Sequence, residues 1–200
     1  MRKPKLFSYV VDHDTGHAPN PYFGFCTLCR CKFRKSQAKP SNVVELAEPG
    51  DWIVGTGGAD LTKSAGHHKL VYAMKVDEKI TRGEYFRKRA FSCKKRSRKG
   101  VGDQSKGDNL RPENQFENEK QYVLISKKHF YYFGNRAIWI PLDKFPHLEK
   151  TGPGFRSDFG EDYIEKFQKW ITKYWSGKHG NPCKRSSLEK RKAERCKSPC

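Results

Sequence analysis

The chain opens with a strand that runs into a turn-rich loop, Leu6-Phe-Ser-Tyr-Val-Val-Asp-His-Asp-Thr-Gly-His-Ala-Pro-Asn-Pro-Tyr-Phe-Gly-Phe-Cys-Thr-Leu-Cys-Arg-Cys31. Leu6–Val11 is rich in aromatic and β-branched residues, which predicts a β-strand. After Val11 both helical and strand periodicity stop, and glycine and proline alternate with Asp, His, Asn and Cys. Glycine and proline fix turns, and loops presented by a scaffold are where binding and catalytic residues concentrate. We therefore expect residues 12–31 to form a shaped functional loop.

Short strands are predicted along the rest of the chain. The turn Glu48-Pro-Gly-Asp51 leads into an apolar strand that starts at Trp52. Residues 69–78 carry apolar side chains at alternate positions, so we expect them to pair with the Trp52 strand as a hairpin. Further strands are predicted at residues 121–126, 130–133 and 137–140, the last two paired with each other around the turn at Gly134-Asn135.

Two helices are predicted. Thr81 can cap a helix over residues 81–91, because Glu84 follows it at the spacing of a capping box. Residues 160–175 place large apolar side chains at helical spacing and begin with Glu161 and Asp162, which suit the positive end of a helix.

Short strands with hairpin turns and two helices indicate an α+β fold. The simplest arrangement is a small mixed or antiparallel, partly closed β-barrel with flanking helices. We expect one domain over residues 1–176, with a mobile excursion at 94–118 where charges are dense and periodicity is absent. Residues 177–200 are basic and poor in apolar residues, which predicts a disordered tail.

The charge balance indicates the kind of partner. The net charge is +19, from 41 Lys and Arg against 22 Asp and Glu. Such an excess favours a polyanion, most simply DNA or a nucleotide, because Lys and Arg release condensed counterions on phosphate contact. The sequence has neither a membrane-length apolar run nor a signal-peptide pattern, so we expect a cytoplasmic protein without membrane contact. Its cysteines are then expected to be mostly thiols or ligands.

Several blocks together resemble the nucleotide modification associated domain family, type 2. The blocks are Tyr9-Val-Val-Asp-His-Asp-Thr-Gly-His-Ala-Pro-Asn-Pro21, Cys26-Thr-Leu28, Cys31-Lys32, Gly50-Asp-Trp-Ile-Val-Gly-Thr-Gly57, Leu70-Val-Tyr-Ala-Met74, Gly107-Asp-Asn109, Val123-Leu-Ile-Ser126 and Tyr131-Tyr-Phe-Gly134. The resemblance spans roughly residues 6–175 and implies a place in bacterial or phage systems that make or handle modified DNA bases. The stretch from Gly50-Asp51 to Glu78 is also similar to PUA and EVE barrels, which fold around a flipped or modified base.

Acidic residues are the candidates for chemistry. Asp12 and Asp14 are two residues apart, so on an extended chain both would point to one face and could act as acid and base or bind a metal. The alternative is an Asx-type turn at Asp14 with a solvated Asp12. The resemblance favours a functional Asp14, and it adds Asp108 and Asn109 as a polar pair on a loop that could close over the site.

Candidate base-binding residues are an amide and several aromatic rings. Asn20 lies between two prolines, and a rigidly held amide offers a base edge both a donor and an acceptor; its alternative role is to cap the loop backbone. Trp52, Tyr72 and Tyr131 could stack on a base. Residues 87–99 are rich in basic side chains, which could bind the phosphates of DNA or else form a solvated charged surface. The basic residues are Arg87, Lys88, Arg89, Lys94, Lys95, Arg96, Arg98 and Lys99.

Cys26, Cys29 and Cys31 are spaced in a way that could hold zinc or supply a reactive thiol. We favour buried structural thiols, because the set lacks a second Cys-x-x-Cys pair at a fitting distance and the resemblance implies no zinc site. No cofactor is predicted, although a metal ion stays an alternative.

Two functions remain open from the sequence. The first is a binding module that recognises a modified base or nucleotide in DNA. The second is an enzyme that installs, alters or removes a base modification through Asp14. An accessory role, in which the basic tail holds a DNA-modification enzyme on DNA, is a third option.

Overall fold

The structure, a computed structural model, describes residues 2–29, 42–94 and 122–183. The strands in these ranges are β1 (Leu6–Val11), β2 (Cys26–Cys29), β3 (Trp52–Gly57), β4 (Lys69–Lys75), β5 (Glu78–Thr81), β6 (Tyr122–Ser126), β7 (Phe130–Tyr132), β8 (Ile138–Trp139), β9 (Phe155–Arg156) and β10 (Gly177–Lys178). The α-helices are α1 (Val43–Leu46), α2 (Arg82–Arg87) and α3 (Glu161–Ile171), and short 3-10 turns span Arg89–Phe91 and Gly134–Arg136.

The larger sheet has the strand order β10-β7-β4-β3-β1-β9, and β8 also pairs with β4. β1 and β3 run parallel, with Leu6 opposite Trp52 and Val11 opposite Gly57. β3 and β4 form the predicted antiparallel pair. The chain therefore leaves the carboxyl end of β1 into the loop that begins at Asp12, beside the end of β3.

The smaller sheet is antiparallel and has the order β2-β6-β5. β2 lies inside the segment that the sequence predicted as irregular loop. Its residues Cys26–Cys29 pair with Val123–Ser126 of β6, and an isolated bridge joins Asn20 to Thr27. These bonds tie the turn-rich loop to the small sheet.

Four layers of structure enclose the core. One face of the large sheet packs on the small sheet and α1, through side chains such as Tyr9, Tyr72 and Leu124. Its other face packs on α3, where Trp52 meets Phe167. The outer face of the small sheet is covered by α2, through Tyr85.

The α+β class is thus confirmed, and the described strands form no closed barrel. In a barrel one face of each strand points inward and the other outward. Here the central strands of the large sheet bury apolar side chains on both faces, because the sheet lies between two covering layers. The PUA-like core stays a prediction.

Local signals explain the helices that the sequence predicted. Thr81 accepts from the backbone N–H of Glu84, and Glu84 accepts from the backbone N–H of Thr81, which completes the capping box of α2. α2 ends at Arg87, earlier than predicted, because Lys88 is extended. α3 lies inside its predicted range and buries Ile164, Phe167 and Ile171 on one stripe.

Asp51 anchors the turn before β3. Its carboxylate is buried and accepts hydrogen bonds from the backbone N–H groups of Lys5, at 2.7 Å, and Glu48, at 2.9 Å, and from the guanidinium of Arg2. The Gly50-Asp51 turn is therefore fastened to the segment that leads into β1.

Two predictions about strands are wrong in detail. β7 and β8 do not pair with each other, because both align along the same edge of β4, with the Gly134–Arg136 turn between them. Gly177 and Lys178 form β10 on β7, so the fold extends past residue 176, at least to Cys183. Residues 95–118 of the predicted excursion and residues 184–200 of the predicted tail lie outside the described residues.

Candidate nucleic-acid interface

A cleft of about 510 Å³ lies where the end of the turn-rich loop meets the β6–β7 turn and β10. Its lining combines three lysines with aromatic and small residues: Pro21, Tyr22, Phe23, Gly24, Lys127, Lys128, Phe130, Ser176, Gly177 and Lys178. The volume falls in the range of small-molecule sites in proteins, about 300–1,000 Å³. Lysine ammonium groups beside aromatic rings suit a ligand that has both phosphate and a planar base.

Asp77 positions two of the lysines. Its Oδ2 accepts from the backbone N–H groups of both Lys127, at 2.6 Å, and Lys128, at 3.0 Å. The carboxylate therefore fixes the turn between β6 and β7. The Lys127 side chain also contacts Glu78, while Lys128 is exposed at the cleft.

Tyr22 and Phe23 form the aromatic wall of the cleft. The ammonium of Lys178 lies 5.4 Å from the centre of the Tyr22 ring, within the range of a cation–π contact. Phe23 is 43% exposed, and its φ of 60° is a strained backbone conformation at the loop tip. The wall therefore has one exposed ring, Phe23, beside the partly exposed ring of Tyr22.

Lys94 supports this wall from inside the protein. Its side chain is fully buried, and its ammonium donates to the Oδ1 of Asn20 at 2.7 Å. It also lies 3.0 Å from the carbonyl oxygen of Asn20, and 2.9 Å from those of Tyr22 and Phe25. One ammonium group thus donates hydrogen bonds to backbone oxygens before, within and after the cleft-lining residues 21–24.

Asp14 lies in a buried polar cluster behind the cleft. Only 1% of the residue is exposed. Its Oδ1 accepts from the hydroxyl of Tyr132 at 2.5 Å, and its Oδ2 accepts from the backbone N–H of Cys183 at 3.0 Å. The backbone N–H of Asp14 donates to the carbonyl of Lys63. The cluster joins the loop after β1 to β7 and to the segment after β10.

The protonation states in this cluster follow from burial. Burial raises the pKa of Asp14, against hydrogen bonds from Tyr132, Cys183 and Gly16 that lower it. Burial and the Asp14 carboxylate raise the pKa of Tyr132, with a smaller contribution from Tyr22, so Tyr132 keeps its proton and donates it. Burial and the Asp14 carboxylate also raise the pKa of Cys183 to about 12, so its thiol is protonated at neutral pH.

Asp12 and Asp14 do not share a face. Asp12 is exposed and Asp14 is buried, because β1 ends at Val11 and the backbone turns immediately after it. The alternation that would align two residues i and i+2 holds only in an extended strand. Asp108 and Asn109 lie outside the described residues.

The predicted base-stacking rings have packing roles. Trp52 is buried between Tyr131, stacked at 6.4 Å, and Phe167. Tyr72 is fully buried, and its hydroxyl lies 2.6 Å from that of Tyr9. These rings have no face to offer a base, because both faces of the large sheet are covered.

The position of Asn20 agrees with its alternative role, which is to cap the loop backbone. It is fully buried, its backbone pairs with Thr27, and its side-chain oxygen accepts from Lys94. The amide therefore caps the loop from within. It gives the cleft its shape and does not line it.

The described residues of the predicted phosphate-binding run differ in their exposure. Arg87, Lys88 and Arg89 are exposed around the end of α2, as a phosphate grip or a solvated run would require. Lys94 departs from the prediction, because all its described hydrogen bonds go to oxygens inside the protein. The remaining members, Lys95, Arg96, Arg98 and Lys99, lie outside the described residues.

The cysteines of β2 point to opposite sides of the small sheet. Cys26 belongs to the core beneath the sheet and Cys29 to the layer above it, as expected for strand residues three apart. These two thiols therefore cannot share one metal ion. Burial raises the pKa of Cys26 to about 12, which suits a structural thiol. Cys31 lies outside the described residues. Cys26, Cys29 and Cys183 are reduced thiols, whereas Cys93 is disulfide-bonded.

Among residues 2–29, 42–94 and 122–183, no group of three or more His, Cys, Asp or Glu side chains is placed to hold a metal ion. Cys31 is outside this set, so the metal prediction is untested.

Sequence reasoning missed Tyr22, Phe23, Lys127, Lys128 and Lys178. The first two had a local signal, because aromatic residues between a proline and a glycine stand at a loop tip and are exposed more often than strand aromatics. The lysines had none, since Lys178 is 50 positions from Lys128 and meets it only through the pairing of β10 with β7.

The chain matches the family model of nucleotide modification associated domain 2 over residues 3–121 and 111–189. It belongs to this family. Membership in nucleotide modification associated domain 2 associates the chain with nucleotide modification, as the sequence blocks indicated. The match reaches residue 189, so it includes β10 and Cys183. No curated protein and no solved structure matches the chain significantly. None of the helices formed by the described residues has the length and apolar character needed to cross a bilayer.

Proposed function

We propose that this protein recognises a nucleotide of DNA, in the setting of a base-modification system, and that the basic aromatic cleft is where it binds. The composition of this cleft is the main support for the proposal. It brings three lysines and the aromatic residues Tyr22, Phe23 and Phe130 together from segments far apart in the sequence. Family membership supports a nucleotide-related ligand.

The chemistry of the lining matches the parts of a nucleotide. Lys127, Lys128 and Lys178 supply positive charge for phosphate oxygens, and the faces of Tyr22 and Phe23 supply stacking surface for a base. Ser176 adds a hydroxyl at the wall. The shape of this aromatic wall determines whether a modified base fits. Lys94 stabilises that shape from inside the protein.

A charge-matched pair of variants tests the proposal. The first replaces Lys127, Lys128 and Lys178 with Gln, and the control replaces Lys144, Lys166 and Lys169, which are exposed away from the cleft, with Gln. Both change the net charge equally. Affinity for a fluorescein-labelled (dT)12 is measured by anisotropy between 50 and 200 mM salt. Each lysine that contacts a phosphate contributes about 0.7 to the slope of log K against log salt for single strands.

We expect the cleft variant to lower that slope by about 2, and the control to leave it close to the wild-type value. Equal losses in the two variants would show that the attraction comes from net charge alone. Modified-base recognition is then read from oligonucleotides that differ in a single modified base, with the cleft variant losing the discrimination.

A second candidate function rests on the Asp14 cluster. A buried carboxylate with a raised pKa beside a tyrosine hydroxyl is a combination that enzymes use for general acid–base chemistry. In this arrangement the protein would alter a base rather than read it. The test is mass spectrometry of nucleosides from DNA of cells that express the wild type or Asp14→Ala. A nucleoside that appears or disappears only with intact Asp14 would establish the enzyme; identical profiles would leave the binding module.

A further inference from the structure

One carboxylate joins the basic cleft to the basic residues at the end of α2. The Oε1 of Glu78 contacts the ammonium of Lys127, which lines the cleft. The Oε2 of the same carboxylate lies 3.5 Å from the ammonium of Lys88. Because both oxygens are bonded to one carbon, the two ammonium groups are neighbours on the surface of the protein.

The fold explains why these residues meet. β5 begins at Glu78 and ends at Thr81, and α2 follows it directly. A helix of six residues rises about 9 Å, close to the distance of about 10 Å between the ends of a four-residue strand. The chain reverses direction at Thr81, so the end of α2 returns to the start of β5, where β6 leads into the turn with Lys127.

The end of α2 adds three basic side chains to this surface. Arg87, Lys88 and Arg89 are consecutive, and all three are exposed. Glu84, the acidic residue of α2, accepts hydrogen bonds from the backbone N–H and the hydroxyl of Thr81, so its carboxylate is engaged at the beginning of the helix. Arg87, Lys88, Arg89 and Lys127 therefore form a basic track that starts in the cleft.

We propose that a DNA strand bound in the cleft continues along the basic track, so that the ligand is a strand of several nucleotides whose outer phosphates contact Arg87, Lys88 and Arg89. This inference rests on the proposed function and adds the path and the length of the ligand. Contacts to phosphates position a strand without reading its sequence, which suits the part of the strand outside the cleft. A phosphate that reaches Lys88 replaces the Glu78 carboxylate as its partner.

Oligonucleotides of two lengths separate the track from the cleft. The track variant replaces Arg87, Lys88 and Arg89 with Gln, and the control is the lysine triple variant away from the cleft, which removes the same charge. Affinities of the full chain for fluorescein-labelled (dT)3 and (dT)12 are measured by anisotropy between 50 and 200 mM salt. The slope of log K against log salt reports the number of neutralised phosphates.

We expect the track variant to lower the slope for (dT)12 by about 2, because each phosphate contact contributes about 0.7, and to keep the wild-type slope for (dT)3. The control variant should keep both slopes. Circular dichroism shows whether the variants are folded. If the track variant is unfolded, Lys88→Gln alone takes its place, with an expected decrease of about 0.7 for (dT)12.

Three results would overturn the track while binding in the cleft stands. They are an unchanged slope for (dT)12, an equal decrease for the two lengths, and an equal decrease in the control variant. The cleft variant, measured with (dT)3, tests the proposed function separately. If it keeps the wild-type slope, or if the wild type binds neither oligonucleotide, both proposals fail.

Discussion

Lys94 is a basic residue in a basic run, and yet its side chain is fully buried. Its ammonium holds the oxygens of Asn20, Tyr22 and Phe25. Composition alone cannot distinguish such a residue from its exposed neighbours, because burial depends on how the chain turns after α2. The consequence is that the loop shape at the cleft depends on one internal cation.

Replacing Lys94 with Met keeps the length of the side chain and removes its charge. We expect the free energy of unfolding to fall by about 2–4 kcal/mol, because several buried carbonyl oxygens lose their donor. The measurement is urea denaturation followed by circular dichroism. Lys88→Met is the control, since Lys88 is exposed and makes a long contact with Glu78, and it should cost less than about 1 kcal/mol. Equal costs for the two variants would contradict the internal role of Lys94.

Asp14 makes the free energy of unfolding depend on pH. Because its pKa is raised in the folded protein, the direction of this dependence is known. The folded protein keeps the proton of Asp14 to a higher pH than the unfolded chain does. The contribution of Asp14 to stability is therefore complete below the unfolded pKa, about 3.9, and is lost as pH rises through the folded pKa.

Asp14→Asn isolates this effect, because the amide does not ionise. The difference in unfolding free energy between wild type and Asp14→Asn should change against the wild type as pH rises from 3, and level off above the folded pKa of Asp14. Urea denaturation at a series of pH values measures it, and other carboxylates cancel in the difference. A difference that is constant with pH, or that changes in favour of the wild type, would show that the pKa of Asp14 is not raised.

The elements that local sequence encodes were predicted well. β1 coincides with its predicted range, and β4 pairs with β3 as expected. α2 is capped by Thr81 as its spacing indicates. In each case the signal is a pattern within a few residues, either strand alternation or a helix cap.

The elements that depend on distant partners were missed. The sequence around β2 is typical of a loop. Its residues form a strand because they pair with β6, almost 100 positions later. β10 has only Gly177 and Lys178, and it exists because β7 supplies hydrogen bonds. The aromatic residues Trp52 and Tyr72 could not be assigned to core or surface, since the covering layers come from α3 and the small sheet.

The segment after α3 provides a test at this scale. A chain that ends at Cys183 keeps every contact described for this segment, whereas one that ends at Ser176 loses β10 and the Cys183 hydrogen bond to Asp14. It also loses the bond from His179 to Tyr132. We expect the shorter chain to be less stable by about 2–4 kcal/mol in urea denaturation. Equal stabilities would support the sequence-based prediction that residues from 177 onward contribute no core.

The whole molecule combines a four-layer α+β core with a strong positive charge. β7 and β10 are neighbours in the large sheet, and the loop after β1 reaches them through the hydrogen bonds of Asp14 with Tyr132 and Cys183. The turn-rich loop and the C-terminal segment therefore meet at one cleft. The net charge of +19 attracts a polyanion from any direction and carries no positional information. We therefore expect bound DNA to contact Tyr22, Phe23 and the three lysines of the cleft.

Photocrosslinking can show which residues contact bound DNA. The full chain is irradiated with a short single strand that carries one 4-thiothymidine, and the crosslinked peptides are identified by mass spectrometry. We expect crosslinks on the peptide that contains Tyr22 and Phe23, and their loss when a non-thiolated strand competes. Crosslinks confined to peptides outside the cleft, such as the exposed Arg87–Arg89 segment, would contradict binding in the cleft.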